Sequence, residues 1–155
     1  MRMYLRQSRS CRTRMTKEQI MEPNSLMQTA AVLFAIAAGG GILMAGMRLN
    51  GIPRPPAWLA MGHGLLAAAG LTLLAYAAAT VGIPPMAQLA LALMVVAAIG
   101  GAVMNLLFHW KMRPLPIPLM IGHAFLAALG FTLLLVSIYG QAYVATLTPM
   151  VMNHT

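Results

Sequence analysis

The chain of 155 residues is 60% hydrophobic and only 8% charged, which excludes a water-soluble domain, because soluble proteins carry about 25% charged residues. Ten Lys and Arg residues against two acids, Glu18 and Glu22, give a formal net charge of +8 at pH 7. No carboxylate follows Pro23, so the rest of the chain cannot perform paired-carboxylate hydrolysis, hold Mg²⁺ or Ca²⁺ through carboxylates, or relay protons through them.

A basic N-terminal arm, residues 1–25, comes first. Its cations are Arg2, Arg6, Arg9, Arg12, Arg14 and Lys17. Anionic lipid headgroups suit this arm better than nucleic acid, because the other basic residues of the chain flank apolar stretches as membrane-topology signals do. We therefore expect a lipid bilayer and no nucleic acid as partner. Cys11 is the only cysteine, which excludes an intrachain disulfide and a thiolate metal cluster.

Four apolar stretches without Lys, Arg, Asp or Glu follow, each near the ~20 residues that a helix needs to cross a bilayer. Proline suits the first turn of a helix, so Pro56 and Pro116 are predicted to mark helix starts. A secretory signal peptide ending near Ala37 is the alternative for the first stretch, which however stays apolar to Met47. The predicted spans are Leu26–Met47, Ala57–Val81, Met86–Phe108 and Ile117–Tyr139, followed by a polar C-terminal tail at residues 141–155.

The second pair of spans repeats the first. A shift of 60 positions aligns Ala31–Thr80 with Leu91–Gly140 without a gap. The distinctive matches pair Gly40-Gly41, Pro56, Gly62-His63 and Thr72 with Gly100-Gly101, Pro116, Gly122-His123 and Thr132. Two helices per copy make the repeats parallel, related by an axis along the membrane normal. We predict an all-α integral membrane four-helix bundle made of two tandem hairpins with pseudo-two-fold symmetry, at residues 26–81 and 86–140.

Both termini are predicted to lie on one side of the membrane. The arm favours a cytoplasmic N-terminus, whereas the four cations of the two long connections favour the opposite orientation. Those cations are Arg48, Arg54, Lys111 and Arg113. Translation from Met15 would remove most of the charge of the arm, while the full chain favours a cytoplasmic N-terminus. We expect the membrane to be a bacterial inner membrane.

His63 and His123 are the residues best suited to chemistry. Each lies about 10 Å along its helix from the preceding proline, so the two imidazoles are expected at equal depth, facing or adjacent. Small residues follow one and two turns later, namely Ala67 and Gly70 after His63, and Ala127 and Gly130 after His123. These small residues predict either close helix packing with interhelical histidine hydrogen bonds, or a groove for a haem b whose axial ligands are the two histidines.

Methionine is frequent, with 15 residues. Met44 and Met104 are expected near the depth of the histidines, and thioether with imidazole can hold Cu(I), so a copper-handling protein is a further hypothesis. Methionine is also an ordinary apolar filler, which weakens this hypothesis. His109, Trp58 and Trp110 are predicted to lie at the membrane interface.

Two function classes follow from these patterns. The favoured one is a non-enzymatic scaffold or accessory subunit of a membrane complex, whose partners are other membrane subunits or further copies of the chain. The alternative is a b-type haem-binding electron-transfer protein. A small transporter is less favoured, because Gln88, Asn105 and Ser137 form no symmetric polar set. The sequence contains no P-loop, nucleotide fingerprint, HExxH motif or nucleophile elbow, and we predict no catalytic residue.

Overall fold

The computed structural model describes the backbone of residues 2–152 and the side chains of residues 24–140 and of Tyr143. Every regular element in this part is helical: α1 (Arg2–Leu49), α2 (Ala57–Thr80), α3 (Pro85–Met104) with a π-helical segment (Asn105–His109), and α4 (Ile117–Met152). The all-α prediction is therefore confirmed for the described residues. The side chains of the arm before residue 24, and of the tail apart from Tyr143, lie outside them, and the predicted division into arm, hairpins and tail stays a prediction.

Four stretches are long and apolar enough to cross a membrane: Asn24–Leu49, Ala57–Thr80, Pro85–His109 and Ile117–Gly140. They contain 24 to 26 residues. At ~1.5 Å per residue this length exceeds the ~30 Å hydrocarbon core of a bilayer. Large apolar side chains such as Leu65 and Phe125 point outward and are about two-thirds exposed, at 66% and 67%. The predicted four membrane-capable helices are confirmed, and their outer surface suits lipid.

Prolines mark the helix starts as predicted. Pro56 directly precedes α2, and Pro116 directly precedes α4. Pro85 occupies the first turn of α3, where the missing N–H group of proline costs no helical hydrogen bond. The short α2–α3 connection turns at Gly82, whose φ of +77° favours glycine and whose N–H group donates to the Ala77 carbonyl oxygen at 3.0 Å.

Helix pairing defines the bundle. α1 packs along α2 and α3 along α4, while the α1–α4 and α2–α3 contacts are less extensive. The order around the bundle is therefore α1, α2, α3, α4, which puts α2 and α4 on a diagonal. The apolar core lies in the half of the bundle near the α2–α3 connection, and its fully buried members include Met27, Ala30, Leu74, Ala77, Ala87, Ala90 and Leu134. Alanine at these contacts lets the helix backbones approach closely.

The end of the third span differs from the first. α1 stays α-helical to Leu49, whereas α3 continues as a π-helical segment in which the Trp110 N–H group donates to the Asn105 carbonyl oxygen at 2.8 Å. A π-helical turn contains one residue more than an α-helical turn, so it rotates the residues that follow it around the helix axis. His109 ends this segment and is half-buried.

Candidate functional site

Each in-span histidine reaches across to the helix paired with its own. His63 on α2 places Nδ1 2.7 Å from the carbonyl oxygen of Ala37 on α1. His123 on α4 places Nδ1 2.8 Å from the carbonyl oxygen of Ala97 on α3. A carbonyl oxygen can only accept, so Nδ1 of each ring carries the hydrogen and donates it. The interhelical hydrogen bonding predicted for both histidines is confirmed.

Two glycines let the rings approach the neighbouring backbone. A Cβ atom at Gly41 would lie 3.1 Å from His63 Cε1, and one at Gly101 would lie 3.2 Å from His123 Cε1. Both distances are tighter than ordinary van der Waals contact. The sequence places these glycines four residues after Ala37 and Ala97, one helical turn beyond the two carbonyl acceptors.

The two imidazoles lie next to each other across the bundle in an edge-on arrangement. Their ring centroids are 6.1 Å apart, and the ring planes meet at 72°. The facing or adjacent placement expected from the repeat is thereby confirmed. Because α2 and α4 lie on a diagonal, the histidines are brought together by the assembly of the whole bundle, and each is held in place by the other helix of its own pair.

The second nitrogen of each ring is the one available for chemistry. When Nδ1 carries the hydrogen, a neutral imidazole presents its lone pair on Nε2. Among the described residues no group hydrogen-bonds to Nε2 of His63 or of His123. A histidine fixed through Nδ1–H to a backbone carbonyl, with Nε2 left as the donor atom, is the usual arrangement around a bound metal. The site thus offers two nitrogen ligands.

Methionine sulfur is a second kind of metal-ligand atom that lies near the histidines in the sequence. Met44 and Met104 lie one turn beyond Gly41 and Gly101; Met104 is buried and Met44 half-buried. Within the described part of the chain, no group of three or more His, Cys, Asp or Glu side chains is arranged to hold a metal ion. An ion bound here would therefore have the two imidazoles as its nitrogen ligands.

The glycines of the predicted groove lie in helix contacts. A Cβ atom at Gly70 would lie 3.2 Å from the Ala30 carbonyl oxygen and 3.1 Å from the Phe34 ring. One at Gly130 would lie 3.2 Å from the Ala90 carbonyl oxygen. The packing predicted for these two residues is confirmed. Ala67 and Ala127 are half-buried on the same helices, and their place in a haem groove stays a prediction.

Other predicted residues lie away from the pair. Trp58 and Trp110 are 72% and 73% exposed, near the two long connections. His109 shares no ring contact with the histidine pair in the described structure. The acceptors at Ala37 and Ala97 were not predicted, because a backbone carbonyl has no side-chain signature in a sequence. The available signal was the equal separation of 26 residues between acceptor and histidine in both halves.

Comparison with protein-family models, with curated proteins and with solved structures finds no match.

Proposed function

We propose that the protein is a membrane electron-transfer protein that binds one haem b, with His63 and His123 as axial ligands. One observation carries this proposal: two imidazoles lie next to each other with centroids 6.1 Å apart, each with Nδ1–H bonded to a carbonyl. Neither Nε2 has a hydrogen-bond partner among the described residues. Their lone pairs are therefore free to bind a metal ion.

The separation of the rings matches ligation of a single metal. Two axial nitrogens at ~2 Å from one ion, each backed by an imidazole ring of ~1 Å radius, put the ring centroids about 6 Å apart. The observed 6.1 Å agrees with this value. The angle of 72° between the rings is compatible with ligation, because each ring plane contains the ligand axis and can rotate about it.

The surroundings of the rings favour ligation as well. A hydrogen bond from Nδ1 to a carbonyl orients an imidazole and makes Nε2 a stronger ligand. Gly40 and Gly41 on α1 lie beside His63, and Gly100 and Gly101 on α3 lie beside His123. The missing side chains let each imidazole lie against the neighbouring helix backbone, which holds the ring in one orientation.

Filling both axial positions points to electron transfer. A haem iron with two imidazole ligands has no open position for a substrate, so its chemistry is reduction and oxidation of the iron. Arg48 and Arg54 lie at the end of the bundle that is nearer to His63, and no carboxylate follows Pro23. Cations without competing acids would offset the two negative propionates of a haem.

The hairpin duplication belongs to the same proposal. Matched contacts at a spacing of 60 support it: Gly70 meets the Ala30 carbonyl as Gly130 meets the Ala90 carbonyl, each at 3.2 Å. The two histidine hydrogen bonds follow the same spacing. Two parallel hairpins related by a pseudo-two-fold axis along the membrane normal would supply two equivalent ligands to one iron.

A scaffold or accessory subunit is the second candidate. The observation that favours it is that the histidine–carbonyl bonds and the glycine contacts join helices without any ligand. In that case the partners are other membrane subunits or further copies of the chain. The copper-handling prediction describes a different ligand: Cu(I) in a symmetric pair of sites formed by Met44 and Met104 with the two histidines. Residence in a bacterial inner membrane is part of the proposal for every candidate.

The test is an absorbance spectrum of the full chain, purified in detergent after expression with added haem precursor. The expected result is a Soret band whose reduced form has the sharp α band of a low-spin haem b. His63→Ala and His123→Ala should each abolish the same band, because both residues bind one iron. His109→Ala is the matched control, since this histidine lies outside the pair, and it should keep the spectrum.

The other outcomes decide between the candidates. A well-folded protein without a Soret band rejects the haem proposal and leaves the packing role of the histidines. Copper in stoichiometric amount, lost in both histidine variants, would assign the pair to copper. Two bands that respond separately to the two substitutions would mean two sites and would contradict shared ligation.

A further inference from the structure

The two long connections form one positively charged face at the end of the bundle. This basic-loop face comprises residues 48–56 and 109–116, and its cations are Arg48, Arg54, Lys111 and Arg113. Since no Asp or Glu occurs after Pro23, no acidic side chain of the spans or connections can neutralise them. Lys111 and Arg113 are exposed.

Contacts between the connections hold these cations together. Arg48 Nε donates to the Leu115 carbonyl oxygen at 2.9 Å, and the Leu115 N–H group donates to the Pro53 carbonyl oxygen at 3.4 Å. An Arg54 guanidinium nitrogen lies 2.6 Å from Met112 Sδ. A thioether carries no charge, so Arg54 keeps its full positive charge.

Two helices begin and two helices end at the basic-loop face. α2 and α4 both begin at the basic-loop face, and neither has an acidic residue in its first turn. α2 also has no side-chain cap. α1 and the π-helical segment after α3 end at the same face, so two negative helix ends offset the two positive ones, and the four cations set the sign of the potential.

We propose that the basic-loop face binds the headgroups of anionic phospholipids in the adjacent leaflet. The charge of the face is complementary to these headgroups. Trp58 and Trp110, both more than two-thirds exposed, flank the connections, and tryptophan favours the headgroup level of a bilayer. The face therefore lies where lipid phosphates are found. The inference goes beyond the haem proposal and holds with or without a bound haem.

The two tryptophans provide a local test, because they are the only ones in the chain. The full-length protein is reconstituted into phosphatidylcholine vesicles that contain a small fixed fraction of a bromine-labelled quencher lipid. The quencher is either phosphatidylglycerol or phosphatidylcholine with the same brominated chains. The anionic lipid should quench tryptophan fluorescence more strongly than the neutral lipid. The difference should correspond to an enrichment of the anionic lipid beside the tryptophans of about fivefold or more, because one surface cation contributes about 1 kcal/mol to the binding of an anionic lipid.

Charge-removing variants and high salt test whether the cations of the basic-loop face cause the excess quenching by the anionic lipid. Lys111→Gln with Arg113→Gln removes two exposed cations whose side chains make no hydrogen bond within the described part of the chain, and should lower the excess quenching severalfold. Arg6→Gln with Arg9→Gln in the arm is the matched control; it removes the same charge across the first span and should leave the excess unchanged. High salt should reduce the excess in the unmodified protein, because it screens surface charges.

Equal quenching by the two brominated lipids overturns the proposal, and so does an excess that survives both high salt and the Lys111/Arg113 substitutions. Loss of the excess in the arm variant alone would assign lipid binding to the arm and would likewise reject it. The haem spectrum reports none of these outcomes, so the two proposals fail independently.

Discussion

An alanine at position 70 or 130 would force its Cβ atom against a backbone carbonyl of the neighbouring helix. The Cβ would lie 3.2 Å from the Ala30 oxygen for Gly70→Ala and 3.2 Å from the Ala90 oxygen for Gly130→Ala. A flexible side chain could move away from such a contact. A helix carbonyl cannot move without shifting the whole of α1 or α3, so the two helices of the pair must separate.

The expected loss follows from two opposing effects. Overpacking a tight contact costs about 1–3 kcal/mol. Replacing a mid-helix glycine with alanine returns roughly 0.5–1 kcal/mol of backbone entropy. We therefore expect each substitution to lower the free energy of unfolding by ~0–2.5 kcal/mol, with a central value of about 1 kcal/mol. Gly70→Leu and Gly130→Leu should cost more, because their side chains are larger.

The measurement is unfolding by SDS in mixed micelles, followed by tryptophan fluorescence and circular dichroism. The matched controls are Gly64→Ala on α2 and Gly122→Ala on α4, where no atom lies within 4 Å of the added Cβ. These controls should be neutral or slightly stabilising. Equal stability of the Gly70→Ala and Gly64→Ala proteins would refute the packing argument, because both lie on one helix and differ only in what the Cβ meets.

Two further predictions concern topology and the buried hydroxyl. Reporter fusions at Ile52, Ile83, Arg113 and Met150 should alternate between the two sides of the membrane, since one apolar helix separates each adjacent pair. Opposite locations for the two termini would contradict four crossings. Ser137 is 6% exposed and its hydroxyl has no partner among the described residues, so Ser137→Ala should raise the free energy of unfolding by about 1 kcal/mol. Ala77→Ser, at the matched position of the first half, should lower the free energy of unfolding. If Ser137→Ala destabilises the protein instead, the Ser137 hydroxyl has a hydrogen-bond partner and the reasoning is wrong.

Local chain chemistry was enough to predict the four apolar helices, but not the extent of α1 back to Arg2, the extent of α4 to Met152, or the π-helical segment. An uncharged run of ~20 apolar residues can satisfy its backbone in a bilayer only as a helix, whatever surrounds it. Proline suits the first turn of a helix, and Pro56 and Pro116 each stand directly before an uncharged apolar run, so the starts of α2 and α4 could be predicted to the residue. The equal depth of His63 and His123 followed from counting residues after each proline. None of these conclusions depends on how the helices are rotated.

Only the tertiary structure determines how each helix is rotated about its own axis, and therefore which of its faces points inward. The spans are apolar on all sides, so they carry no amphipathic pattern that tells which face points inward. Packing at Gly70 and Gly130 sets the faces of α2 and α4, and the diagonal arrangement of these helices brings the imidazoles to 6.1 Å. The carbonyls of Ala37 and Ala97 accept from the rings only because those faces meet. Sequence alone determined four membrane-capable helices with two histidines at one depth, whereas contact between helices determined which nitrogen of each histidine is free to bind a ligand.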